Sequence, residues 1–366
     1  MSVISAGDAW YTYGGAENDV VLSSRTRLAR NLANFPFPAR LRGNDGQRVQ
    51  SIVFDAFNHI DSSEDFQAIS VSELDNLGCR ILKERGILST RMLTSSSGKQ
   101  EGIILRSDGK IACTVNIIDH VRISSFVPGL DFDGALEMSR GVDSELQQRV
   151  QFAASHDFGY LTSEIMDSGS GMKLAVRVHL PSLSFQRKIK SVYDTLAARG
   201  LLFTALYGSG SKGSSLGAYY ELSSSNCGTG SEFDQMATVV SAAKQLADME
   251  RNAREECMQN HPTDMRNNLY RSLALAKSSL YITLQEAIDI ISGVKLGVDM
   301  KLIEGIDDTT LHALLYRIQE GHLEYVLKNG DFSFEDDILS DEKKKIERLR
   351  ALILQEAFDG IGGSND

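Results

Sequence analysis

The segment Ser23-Ser24-Arg25-Thr26-Arg27 carries the first chemistry legible in the chain. Arg25 and Arg27 alternate around Thr26, so an extended strand would point both guanidiniums to one side. Each guanidinium can fork onto two oxygens, and a pair on one face suits a polyanion such as a triphosphate. Taken alone, a solvated basic turn bonded to nearby carboxylates explains the motif as well. A second segment runs Asn116-Ile117-Ile118-Asp119-His120-Val121-Arg122. If extended, it puts Asn116, Ile118, His120 and Arg122 on one face. A third, at 172–180, alternates cleanly: Leu174, Val176, Val178 and Leu180 form one face, and Lys173, Ala175, Arg177 and His179 the other. Cations from three distant segments of an acidic chain repel one another unless an anion joins them.

Three glycine-rich stretches resemble phosphate loops. GSGSKG at 208–213 fits G-x-G-x-x-G, but strand-like sequence lies on both sides, where a dinucleotide site needs a following helix. A turn between antiparallel strands is the better reading. The order of Gly, Lys and Ser in GSGSKGSS is wrong for a Walker loop. SGSGMK at 168–173 opens into a strand, so no helix N-terminus would face a phosphate. It reads as a plain loop or as a mobile lid beside a site.

The elements that must position these groups follow from periodicity. Helices are expected at 47–60, 71–85, 142–156, 182–199, 233–259, 263–281, 283–294, 308–318 and 340–358. Within 100–118, a Ser-Asp-Gly turn at 107–109 joins two strands into a hairpin. Further strands are expected at 172–180, 201–207 and 216–222. The alternation at 172–180 predicts an antiparallel sheet with one apolar and one wet face. The expected fold class is α+β, a mostly antiparallel sheet flanked by helices, followed by a C-terminal all-helical domain. The expected divisions are a frayed or disordered N-terminus at 1–17, an α/β body at 18–257 and a helical domain at 258–366, parted near Asn260-His261-Pro262.

Composition excludes several classes. The chain has 366 residues and a net charge of −11, with 42% hydrophobic and 24% charged residues. That is an ordinary globular balance with ample core. The acidic excess disfavours nucleic acid and anionic membrane as general partners. Cys79, Cys113, Cys227 and Cys257 have no zinc-ligand spacing, and no metal held by the protein alone is expected. Neither a signal peptide nor a membrane span is expected, and reduced thiols in a cytoplasmic setting fit the cysteine usage.

VVLSSRTRLARNLANFPFP at 20–38 resembles the opening motif of the ATP:guanidino phosphotransferases, which include creatine kinases, arginine kinases and bacterial protein arginine kinases. VNIIDHVRI, LTSEIMDSGSGMKLAVRVHLP and ALYGSGS follow in the order of that family's further motifs. SLYITLQEAIDIISGVKLGVDMKLI is similar to the helical domain of the bacterial protein arginine kinases. The resemblance implies the guanidino-kinase catalytic fold and transfer of the ATP γ-phosphoryl group, with Mg²⁺, to a guanidinium nitrogen. It implies a nucleotide site at Ser23, Ser24, Arg25, Thr26, Arg27, His120, Arg122, Lys173 and Arg177. Lys173 stands for a family arginine and keeps charge without the fork.

The departures are specific. Ile117 and Ile118 replace two glutamates, Glu164 a cysteine, Thr204 an arginine and Ser209 a glutamate. A family motif that senses phosphoarginine aligns loosely with 344–349. Glu164 restores a negative charge at the cysteine position, with Asp167 nearby, and the resemblance retains Asp119; Glu164 and Asp119 are the catalytic candidates. The expectation is arginine phosphoryl transfer in proteins, weakened or lost. The alternative is a catalytically dead pseudokinase that regulates by binding nucleotide or by scaffolding. By resemblance, the partners would be an arginine-containing protein substrate, a small zinc-binding adaptor, a stress-response protease system and a second copy in a homodimer.

Overall fold

The computed structural model describes residues 9–89, 100–208, 215–225 and 231–363. Its centre is an eight-stranded sheet. In chain order the strands are β1 (Val21–Arg30), β2 (Phe66–Ser70), β3 (Gly102–Arg106), β4 (Ile111–Val115), β5 (Val121–Pro128), β6 (Met172–His179), β7 (Leu201–Ala205) and β8 (Tyr219–Ser224). The spatial order is β2-β3-β4-β5-β1-β6-β8-β7, and every neighbouring pair is antiparallel. The expected β3–β4 hairpin forms: Gly109 takes φ +69° in the turn, and Arg106 grips both carboxylate oxygens of Asp108 at 2.8 Å.

Alternation decides which side of the sheet is dry. Leu28, Ile123, Leu174, Val176, Val178 and Leu222 are buried on one face. Helices α1 (Asp45–Phe57), α3 (Phe132–Gln147) and α6 (Glu232–Asn260) cover it, contributing Val49, Val53, Leu146, Val239 and Leu246 to the same core. Each such side chain stabilises by roughly 1.5–3 kcal/mol through burial. Arg30 crosses this layer and forks onto Asp143 of α3 at 2.9 Å for both bonds.

The opposite face is shared. A second core, built on Leu269, Ile288, Ile291, Leu311, Leu354 and Phe358, joins α7 (Pro262–Ser278), α8 (Leu284–Asp299), α9 (Asp308–Arg317), α10 (Glu320–Asn329) and α11 (Glu342–Phe358). Leu22, Leu216 and Tyr219 of the sheet region belong to this core. His179, expected on the wet side of β6, is therefore buried: its Nε2 lies 2.8 Å from Ser292 Oγ, and its ring stacks on Tyr219. No helix among the described residues is long and apolar enough to cross a membrane.

Several expected elements shift for local reasons. The helix expected at 142–156 begins ten residues earlier, because Asp131 caps Gly134 N–H and the apolar stripe starts at Phe132. The span 71–85 splits into a 3-10 turn, Val71–Glu73, and α2 (Asn76–Glu84), capped by Asp75. The span 182–199 breaks into α4 (Pro181–Phe185) and α5 (Ile189–Ala198), with Arg187 at φ +59° between them. Asn116 at φ +58° bends the chain, so β5 starts only at Val121 and the shared face expected for Asn116, Ile118, His120 and Arg122 does not form. Helix α10 has no counterpart among the expected elements. Residues 9–17, expected to fray, include a 3-10 turn in which Trp10 is buried and stacks on Phe126 of β5.

Candidate functional site

Antiparallel pairing places directly opposed side chains on the same side of a sheet. On β1, Arg27 pairs with Lys173 of β6, Arg25 with Ala175, and Ser23 with Arg177. On the other flank Ala29 pairs with Arg122 of β5. Arg25, Arg27, Arg122, Lys173 and Arg177 therefore share one face, opposite the helix layer. Their strands are neighbours, separated by about 4.8 Å. The sequence motif thus becomes a cationic row across β5, β1 and β6.

The intervening serine and threonine do not join it. Ser24 points to the helix side, where its Oγ donates to Gly129 O at 2.8 Å and accepts from Asp131 N–H at 3.2 Å. Thr26 is fully buried on that side. Ser23 shares the cationic face but is buried beneath it.

Carboxylates stand among the arginines. Arg122 Nε donates to Asp119 at 2.7 Å, and its Nη2 reaches Glu164 and Asp167, each at 3.2 Å. Arg27 Nη2 reaches the same Asp167 oxygen at 2.5 Å. Arg25 pairs with Glu221 of β8 at 3.1 Å, and Arg177 Nε lies 3.7 Å from that residue's other oxygen. Arg177 also donates to Tyr316 of α9 at 3.0 Å, which binds the helical region to the row.

Asp119 is fully buried and also accepts from Asn31 Nδ2 at 2.8 Å and Ser163 N–H at 2.7 Å. Burial raises its pKa, but the Arg122 charge and these hydrogen bonds outweigh burial and hold the carboxyl below its usual range. Glu221 behaves alike: burial raises, while Arg25, Arg177 and Lys173 lower it further. Both are anions whose proton affinity is spent on arginine.

Glu164 begins a 3-10 turn, Ile165–Asp167, on the loop into β6. Thr162 Oγ1 donates to Glu164 O at 2.7 Å and fixes the turn's start. Gly171, at φ +66°, lets the loop close on β1, since a Cβ there would sit 2.6 Å from Ala29 O. The glycine-rich stretch at 168–173 is thus shaped by packing against the strand that carries the arginines.

His120 lies off the row. Its Nδ1 accepts from Leu32 N–H at 3.0 Å, which leaves Nε2 to donate to Pro36 O at 3.0 Å. Burial drives its pKa down to about 4. It braces the chain that follows β1. Ile117 is buried in an apolar cluster with Leu82, Leu88 and Ile103, and Ile118 packs against that cluster. Thr204 of β7 opposes Glu221 and is exposed. Ser209 and all but the first residue of GSGSKG lie outside the described residues, although the flanking β7 and β8 are antiparallel neighbours. In the 344–349 stretch, Arg348 binds Glu335 at 3.1 Å. The residues sequence reasoning missed are Asn31 and Glu221. Glu221 had a signal, a lone acid within the otherwise uncharged strand Tyr-Tyr-Glu-Leu-Ser. Among the described residues, no group of three or more His, Cys, Asp or Glu is arranged to hold a metal ion.

Comparison with known proteins gives a consistent answer. The family described as ATP:guanido phosphotransferase, C-terminal catalytic domain, matches residues 48–253, and the protein-arginine kinase McsB C-terminal domain family matches residues 262–365. A protein-arginine kinase of Halothermothrix orenii is 30% identical over 315 residues, covering 86% of this chain and 89% of its own. One from Geobacillus sp. (strain WCH70) is 30% identical over 354 residues, covering 95% and 97%. Lombricine kinase superposes with a TM-score of 0.56 at 17% identity, over 68% of this chain and 70% of its own. The substrate-free duplicated taurocyamine kinase of Schistosoma mansoni gives 0.58 at 15% identity, over 76% and 42%. At such identities the two structures speak for the fold.

Proposed function

Since the chain belongs to the ATP:guanido phosphotransferase family, we propose that it binds ATP on the cationic row and transfers phosphoryl groups, slowly, to arginine side chains of proteins. The observation that carries this reading is the convergence of Arg25, Arg27, Arg122, Lys173 and Arg177 on one sheet face. Bound ATP with Mg²⁺ supplies the transferable group. The row would hold the phosphates and neutralise charge as transfer proceeds. The site's carboxylates are engaged by arginines and no three-ligand cluster occurs among the described residues, so Mg²⁺ would depend chiefly on phosphate oxygens. Asp119 would position Arg122 rather than take a proton. Glu164, with a third of its side chain exposed, would meet an incoming guanidinium.

Slow transfer follows from what is missing. An arginine acting in the transition state contributes on the order of 10³–10⁵ in rate, and one lost orienting group costs roughly 10²–10³. Here Thr204 and Ile117 stand where the family carries an arginine and a glutamate, and Ile117 is part of an apolar cluster. That last fact favours the second reading, a pseudokinase that binds nucleotide without turnover. Transfer of ³²P from ATP to an arginine-rich protein separates the two. Low transfer, abolished in Arg27→Ala, supports the kinase. No transfer alongside retained nucleotide binding supports the regulator. A homodimer, a small zinc-binding adaptor and a cytoplasmic setting belong to this proposal through the family, and the helical region at 262–365 is the part that would carry assembly.

A further inference from the structure

Asp167 bridges two arginines of the row. Its side chain is 7% exposed, and one oxygen, Oδ2, is shared by Arg27 Nη2 and Arg122 Nη2. The residue arrives on a short surface turn, not on a strand. Asp167 N–H bonds Glu164 O at 2.9 Å and Ser168 N–H bonds Ile165 O at 3.1 Å within the turn, while Thr162 Oγ1 donates to Glu164 O at 2.7 Å and Thr162 N–H to Ser168 Oγ at 3.4 Å. Its apex is bare: Ile165 is 87% and Met166 54% exposed. The exposed apex adds little buried apolar contact, and ion pairs with Arg27 and Arg122 hold the Asp167 carboxylate.

We propose that Asp167 is an internal competitor for phosphate: it holds Arg27 and Arg122 until a polyphosphate displaces it, and thereby sets the affinity of the site. The inference rests on the nucleotide reading above. A phosphate oxygen that settles between Arg27 and Arg122 competes with the carboxylate for the same Nη2 donors and repels it, on a guanidinium that already serves Asp119 and Glu164. The carboxylate in turn keeps two neighbouring arginines from repelling each other in the empty state.

The test is calorimetric titration of wild type, Asp167→Asn and Asp167→Glu with inorganic pyrophosphate and with Mg-ADP. Asp167→Asn is expected to bind pyrophosphate at least about tenfold more tightly, while Asp167→Glu, which keeps the charge, stays near wild type. Asp167→Asn should also melt lower than wild type when empty and recover more on adding pyrophosphate. Unchanged or weaker binding by a folded Asp167→Asn overturns the proposal while leaving the nucleotide site standing. Binding of neither ligand by any of the three proteins removes the nucleotide reading and this inference with it. Should Asp167→Asn not fold, a crystal structure of wild type with pyrophosphate decides. Displacement of Asp167 from both arginines supports competition, and a carboxylate still bridging them beside bound phosphate overturns it.

Discussion

At the scale of single residues, the site is a balance of guanidiniums against carboxylates, and its supports are tuned to stay neutral or ionised. His120 shows this. Its Nδ1 must accept from Leu32 N–H, which a protonated ring cannot do. Its folded pKa of about 4 lies below the ordinary 6.5, so between those values the unfolded chain binds the extra proton. Its contribution to stability is complete above pH 6.5 and disappears as pH falls toward 4, by on the order of 3 kcal/mol. Urea melts across pH 4–7 should show a shallower acid decline in His120→Asn than in wild type; identical slopes would contradict the neutral-ring account. Glu164 makes a second prediction. If it meets the substrate guanidinium, Glu164→Ala lowers arginine phosphorylation by roughly 10²-fold, and equal activity removes that role. At this scale the sequence showed the arginines and named Asp119, Glu164 and Asp167, but not how they pair. Residue type announces a guanidinium or a carboxylate, whereas which of them pair becomes legible only once register sets β8 beside β6 and the 165–167 turn lies against the row.

At the scale of elements, strands are easier to read than helix boundaries. The alternation at 172–180 has physical force because a one-residue slip would bury Lys173 and Arg177 and expose Leu174 and Val176. The helix expected at 142–156 is displaced because apolar periodicity continues past Gln147, while the true start depends on the Asp131 cap. The short helix that precedes the break within 182–199 is capped by a partner far along the chain. Glu250 of α6 is fully buried and accepts from Ser182 N–H at 2.9 Å and Leu183 N–H at 3.0 Å, satisfying the start of α4. Glu250→Ala orphans these donors and should cost roughly 3 kcal/mol in denaturant melts. A loss under about 1 kcal/mol would mean that the cap does not hold α4.

At the scale of the whole molecule, one sheet serves two cores, and the seam between them adjoins the row. Arg254 of α6 bonds Asp19 at 3.1 Å and Asp299 of α8 at 3.2 Å, while Lys295 bonds Asp299 at 3.0 Å and Asp308 at 2.7 Å. This network, buried at Arg254 and Lys295, ties Asp19 to both helical layers. Nearer the site, Tyr316→Phe removes the bond to Arg177 and should lower stability by about 1 kcal/mol. No change in a urea melt would show that α9 does not brace the row. A body built on an antiparallel sheet and a helical region after it could be inferred from periodicity alone. That the second would lie across the wet face of the first could not, because the burial of His179 and Tyr219 is a consequence of docking and leaves no mark in local pattern.

The account stands on the cationic row acting as one polyphosphate cradle, and titration calorimetry with Mg-ADP tests that most directly. Wild type should bind with measurable heat, and Arg25→Ala and Arg27→Ala, folded as wild type, should each weaken binding by about tenfold or more. No heat from wild type at millimolar ligand, or affinities untouched by either substitution, would contradict it.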